Sequence, residues 1–188
     1  MRRNPVMPEE QVSRLTYAPE LVLPVSERDH VQGSPNATKV LVEYGDYECP
    51  YCGAAYPIVK QVQAAMGDEL AFVYRHFPLS NVHPHAWKAA EAAEAAGAQG
   101  AFWEMHDMLF EHQDALGEHD LVRYARDIGV EVARFALELR AGIYAGRVHE
   151  DFRSGVLSGV NGTPTFFING VRYDGRWDAA SLLRALRA

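Results

Sequence analysis

Two rhythms of hydrophobic and polar residues run along the chain and divide it. Val40-Leu41-Val42-Glu43-Tyr44 is an apolar run of strand length, rich in β-branched and aromatic residues, with Glu43 as its single charge. Leu70 to Phe77 reads as a second strand, alternating at Leu70, Phe72 and Tyr74. Between them a helix is predicted to begin at Cys49 and run to about Met66. Pro50 suits its first position, where a missing N–H costs nothing. Pro57 should kink it, and Gly67-Asp68 should stop it. Strand, helix and strand form one unit with a right-handed crossover expected.

Across residues 84–159 the period becomes helical. Ala89 to Ala96 is alanine-rich and reads as a close-packed helix face. Phe102, Met105 and Leu109 share one face, and Trp103, His106 and Phe110 the neighbouring one, as core. Asp120 is placed to cap a helix carrying Leu121, Tyr124, Ala125 and Ile128, which Gly129 would close. Val132, Phe135 and Leu139 form a further stripe, and Val148, Phe152 and Val156 a last one. From residue 160 the strand rhythm returns in Thr165-Phe166-Phe167-Ile168 and Val171-Arg172-Tyr173, with Asn169-Gly170 as a two-residue hairpin turn. Asp178 then caps a helix with Ala179, Leu182, Leu183 and Leu186 on one side. The predicted organisation is an N-terminal arm over 1–35, an α/β domain over 36–83 and 160–188, and an inserted all-helical subdomain over 84–159. Pro5, Pro8 and Pro19 break any helix in the arm, Leu21-Val22-Leu23 is a short extended candidate, and Gly33-Ser34-Pro35-Asn36 is a turn.

With 188 residues, 48% of them hydrophobic and 23% charged, the chain can bury a core without staples, and a disordered chain is excluded. The net charge is 18 − 25 = −7, which argues against nucleic-acid partners and a polybasic membrane patch. No run approaches the ~20 apolar residues of a membrane span. Met1-Arg2-Arg3 has no apolar run behind it, so a cytoplasmic protein without a signal peptide is expected.

The 2 cysteines are Cys49 and Cys52, in Cys-Pro-Tyr-Cys. A structural zinc site would want four ligands, and the best additional candidates are His83 and His85. An isolated pair at a helix start suits redox chemistry better. The first cysteine faces unpaired backbone N–H groups and the positive end of the helix dipole, which stabilise the attacking thiolate. The second lies one turn on, within reach for a small disulfide ring. Cys49 is therefore the expected nucleophile and Cys52 the resolving thiol. Glu43 has two readings. On the buried face its pKa would rise and it could accept the Cys52 proton; otherwise it points to solvent or pairs with Arg75. Thr163-Pro164, if cis, would offer the Thr163 backbone as an edge for an extended substrate segment. The alternative is an ordinary trans proline at a strand start.

Together these motifs resemble the thioredoxin superfamily, and within it the DsbA-like thiol–disulfide oxidoreductases. The matching features are Cys49-Pro50-Tyr51-Cys52 after a strand, Glu43 six residues upstream, Gly162-Thr163-Pro164 before Thr165-Phe166-Phe167-Ile168, and the helical insertion. Phe77-Pro78-Leu79 with His83-Pro84-His85 also fits. The resemblance covers about residues 36–188. It implies a thioredoxin fold with an inserted helical subdomain, and reversible dithiol–disulfide exchange with protein thiols. Carried over by position, Cys49 attacks, Cys52 resolves, Glu43 is the buried acid and Thr163-Pro164 the cis-proline loop. Pro57 is similar to the helix-kinking proline of thioredoxins. No metal or cofactor is implied.

Pro50-Tyr51 lacks the imidazole that strongly oxidising relatives carry between their cysteines, and Glu48 beside Cys49 should disfavour a thiolate. A potential in the glutaredoxin range, roughly −200 to −230 mV, is therefore expected. Tyr51 should be exposed and touch substrate together with Pro50, and His83 or His85 could tune thiolate charge. The expected function is a protein thiol–disulfide oxidoreductase drawing electrons from glutathione or a thioredoxin system. The alternative is a redox-sensing or regulatory binding module that uses the pair as a switch, of the kind appended to membrane transporters. Glutathione chemistry resembling the kappa-class transferases ranks below both, since those use a serine where this chain offers a second cysteine.

Overall fold

A computed structural model describes residues 20–188; the predicted polar tail before Glu20 lies outside them. Five strands form one mixed sheet: β1 (His30–Gly33), β2 (Lys39–Gly45), β3 (Leu70–His76), β4 (Thr165–Ile168) and β5 (Val171–Tyr173), in the order β1-β3-β2-β4-β5. β2 and β3 are parallel, joined by helix α1 (Pro50–Met66). The remaining pairings are antiparallel. α1 continues unbroken through Pro57.

The insertion holds five helices: α2 (Ala86–Gly97), α3 (Phe102–Glu111), α4 (Glu118–Asp127), α5 (Val132–Ala141) and α6 (Ala145–Leu157). α7 (Ala179–Arg187) closes the fold, capped by Asp178 on the Ser181 N–H at 3.0 Å. The β4–β5 turn needs positive φ at both central residues, and Asn169 (50°) and Gly170 (85°) supply it.

Strand alternation decides what each face meets. Leu41, Phe72, Tyr74 and Phe166 face the core shared with α1, α3 and α7. Val42, Tyr44, Val73 and Phe167 face a second core with Phe152 of α6 packed against it. In α2, alanine lets helices approach closely, and Ala89, Ala92, Ala93, Ala95 and Ala96 are all fully buried.

Several elements differ from the sequence reading. His30–Gly33, inside the expected arm, pairs with β3 as an edge strand, whereas Leu21–Leu23 forms no strand and only Glu20 bridges to Val171. Four residues of mixed polarity carry too little periodicity to be recognised. Gly117, not Asp120, caps α4, and Asp120 sits in its first turn beside Arg123. In α6 the buried face is Val148, Asp151, Ser154 and Gly155, with Val156 exposed. Polar residues occupy that face because they have partners: Asp151 takes Arg28 and Arg147, and Ser154 bonds the Tyr44 hydroxyl at 2.7 Å.

Candidate active site

The cysteines lie where β2 hands over to α1. Cys49 caps the helix with extended backbone (φ −74°, ψ 122°), and Pro50 follows at the first helical position. The cap has no side-chain hydrogen bond of its own, so the thiol is left to other partners. The loop is braced from the insertion. Gln113 Nε2 donates to the carbonyls of Tyr47 (2.8 Å) and Cys49 (2.9 Å). A Cβ at Gly53 would lie 2.0 Å from Gln113 Oε1, so only glycine lets that brace approach the helix.

Cys49 Sγ sits 3.4 Å from the Thr163 carbonyl oxygen, and the Thr163–Pro164 peptide is cis. The chain thus brings together sulfur and proline loop across 114 residues. As a thiol, Cys49 donates to that carbonyl. As a thiolate it needs donors. The Cys52 thiol is the largest source, followed against a burial cost by Thr163, whose buried hydroxyl has no hydrogen-bond partner and is free to turn to the sulfur, and by the Cys52 and Tyr51 backbone N–H groups. These bring the Cys49 pKa down to about 5. The Glu48 carboxylate, expected to disfavour the thiolate, accepts from the His85 backbone N–H at 2.6 Å and lies 2.8 Å from His85 Nδ1, and the donors above outweigh what opposes the Cys49 charge.

Cys52 is fully buried, and burial pushes its thiol well above the ordinary value; the bond to Cys49 and the Glu43 charge act in the same direction, while the Asp46 N–H at 3.4 Å opposes them. The asymmetry separates one sulfur charged at neutral pH from one that holds its proton. Cys49 is itself only 3% exposed, more covered than a free nucleophile suggests, but its neighbours Pro50 and Tyr51 are exposed, Tyr51 at 67%.

Glu43 faces these sulfurs. Its register partner is Tyr74, whereas Arg75 pairs with Tyr44 on the opposite face. The possible Glu43–Arg75 pair is therefore ruled out by a one-residue offset. Arg75 bonds Asp29 instead, at 2.8 and 3.1 Å. Glu43 is 3% exposed, Oε1 has no hydrogen bond, and burial followed by the Cys49 charge raises its pKa to about 8. Tyr74, with a buried and equally unpartnered hydroxyl, lies over Gly45, where a Cβ would come within 2.8 Å of the ring.

Among the described residues no histidine hydrogen-bonds either sulfur. His83 Nδ1 lies 2.7 Å from Asp46 Oδ2. His76, Glu94 and Asp151 bring potential ligands within 4.8 Å, but Arg28 and Arg147 already pair with Asp151, and His30 bonds Glu94. Asp46, Tyr74 and Gln113 escaped the sequence reading. Asp46 could have been noticed as a turn-former three residues before Cys49; Gln113 leaves no signal, being 64 residues from the carbonyl that it holds.

A mixed sheet with two cysteines opening a helix against a proline loop defines the thioredoxin-like class of fold. The chain belongs to the Thioredoxin family, whose Thioredoxin_4 model matches residues 25–188. BdbD from Bacillus subtilis, in its oxidised crystal structure, superposes with a TM-score of 0.80 at 21% identity, covering 87% of this chain and 94% of that one. A thioredoxin-like oxidoreductase from Silicibacter pomeroyi DSS-3 gives 0.76 at 27% identity, covering 87% and 95%. Wolbachia pipientis alpha-DsbA1 gives 0.75 at 19% identity, covering 90% and 94%. In sequence, the Na(+)/H(+) antiporter NhaA 1 of Mycobacterium sp. (strain KMS) is 50% identical over 171 residues, which is 89% of this chain but 28% of that protein. The chain thus spans about a quarter of the length of the curated relatives that it matches.

Proposed function

We propose that the protein exchanges its Cys49–Cys52 dithiol or disulfide with protein thiols. The observation that carries this is the Cys49 sulfur at the head of α1, 3.4 Å from the Thr163 carbonyl and directly above a protonated Cys52. In the oxidising direction, a substrate thiolate attacks Cys49 Sγ of the disulfide, and Cys52 leaves and takes up a proton. A second substrate thiolate then attacks the substrate sulfur and releases Cys49 as its stable thiolate, so two electrons pass to the pair. In reverse, Cys49 attacks a substrate disulfide. Cys52 then gives its proton to Glu43 and breaks the mixed disulfide. Once Cys49 is in a mixed disulfide it carries no charge, so Glu43 loses the smaller of the two influences that raise its pKa and is ionised more often near neutral pH, the form that can take the Cys52 proton. The Thr163 backbone edge receives an extended substrate segment, Pro50 and Tyr51 give it an apolar rim, and reaching the covered sulfur requires that rim to shift.

A stable Cys49 thiolate favours the dithiol form, so the pair draws electrons more strongly than the glutaredoxin range would. Glutathione or a thioredoxin system remains the partner proposed for turnover, and the site of action proposed is the cytoplasm. The test is insulin reduction with dithiothreitol: Cys49→Ser abolishes it, and unchanged turnover in that variant overturns the assignment.

The second reading is a redox module attached to a transporter. It is favoured by the half-identical relatives named as Na(+)/H(+) antiporters, of which this chain spans only 28%. A Cys52→Ser bait separates the two, since many trapped substrates support the enzyme and a single trapped partner supports the module.

A further inference from the structure

Asp46 has no part in the exchange steps above, yet it is the most heavily engaged side chain beside them. It is 1% exposed. Oδ1 accepts from the Glu48 N–H at 2.8 Å, and Oδ2 accepts from the Leu79 N–H at 2.8 Å and from His83 Nδ1 at 2.7 Å. Its backbone serves the cysteines directly: the carbonyl accepts from the Cys49 N–H at 3.1 Å, and the N–H points at Cys52 Sγ at 3.4 Å. One carboxylate therefore ties the loop before α1 to the segment after β3, and the same residue contacts both sulfur-bearing residues.

We infer that Asp46 and His83 are positioning residues for the resolving thiol: their pair holds the loop so that the Asp46 N–H meets the Cys52 thiolate as it forms. This rests on the exchange reading above. Burial opposes the charge that Cys52 must take on, and so does the carboxylate of Glu43 on β2 while it is ionised. A single backbone donor is the local stabilisation it has against them, and a hydrogen bond to a charged group is strongly dependent on alignment. His83 is the accessible half of the device, with its side chain 18% exposed while that of Asp46 is fully covered.

In the step concerned, the Cys49–glutathione mixed disulfide breaks, the Cys49–Cys52 disulfide forms, and glutathione leaves with the electron pair of the broken bond while the Cys52 proton passes to Glu43. The test is quenched-flow oxidation of the whole reduced chain by glutathione disulfide, following the Cys49–glutathione adduct and, separately, Cys49 alkylation by iodoacetamide. In His83→Ala the adduct accumulates, its resolution slows about tenfold and the pH profile of resolution moves upward. Cys49 alkylation stays within about twofold, because the donors to that thiolate lie elsewhere. His83→Gln, which can still donate to Asp46, restores resolution. Asp46→Asn, which keeps the shape but loses the charged acceptor, gives the same selective slowing as His83→Ala. Wild-type resolution in both His83→Ala and Asp46→Asn overturns the inference, and so does equal slowing of resolution and alkylation, which marks general loosening of the loop. Glutathione disulfide reacts with any competent dithiol. A failure of the protein-substrate reading would therefore appear with insulin alone and leave this result standing.

Discussion

Replacing Glu43 with glutamine should stabilise the protein. In the unfolded chain the carboxyl ionises near its ordinary 4.5, whereas in the fold its pKa is about 8. At pH 7 folding must therefore bind a proton against its ordinary affinity, at a cost of about 1.36 kcal/mol for each of the 2.5 units between 4.5 and 7. That is about 3 kcal/mol, independent of the folded value so long as it stays above 7. The sign follows from a folded pKa that is raised: stability is fully present below 4.5 and is lost as pH rises through 8. Glutamine keeps the volume and cannot ionise, and Glu43 Oε1 has no hydrogen bond to forfeit. Urea unfolding of wild type and Glu43→Gln should show a gap below about 1 kcal/mol at pH 5, about 3 at pH 7 and about 5 above pH 8. In a domain of this size the gap at pH 7 corresponds to roughly 6–12 °C in Tm. The gain should be larger in the reduced protein, since the Cys49 charge supplies the second part of the shift. A gap that is flat with pH, or a destabilised variant, would refute a buried protonated carboxyl. The same variant should lose rate in mixed-disulfide resolution.

Cys52→Ala removes the strongest donor to the Cys49 thiolate and should raise the Cys49 pKa by about one to two units in a thiolate-absorbance titration, while Cys52→Ser moves it less; equal shifts would deny the Cys52 donor. With Cys49 at about 5, ionisation stabilises the reduced fold at pH 7 by about 2.7 kcal/mol, a benefit lost as pH falls through 5. Redox titration should accordingly place the pair ~60 mV above an otherwise identical dithiol with ordinary thiols, and a potential that does not depend on pH in the manner of a low-pKa thiolate would count against it. Asp29→Ala leaves the Arg75 guanidinium buried without its carboxylate and should cost about 3–5 kcal/mol in chemical denaturation; a loss under about 1 kcal/mol would show that the carbonyls of Leu23 and Pro24 suffice.

Local pattern determined a good deal of this protein. A cysteine pair behind an apolar strand, a proline at the first helical position, an Asn-Gly turn and an aspartate cap are readable because each obeys a rule that acts over a few residues. The inserted helices were visible for the same reason, in the alanine face of α2 and the stripes of α3. Tertiary structure decided what depends on contacts between distant segments. The register of β2 on β3 sent Glu43 to the sulfurs and Arg75 to Asp29. The return of the chain at Thr163 completed the surroundings of Cys49, and His85 became the partner of the Glu48 carboxylate beside it. Asp46 and Gln113 acquired their places only through partners in other elements. The state of each sulfur is set by donors and burial supplied across the fold, and no local spacing rule encodes these.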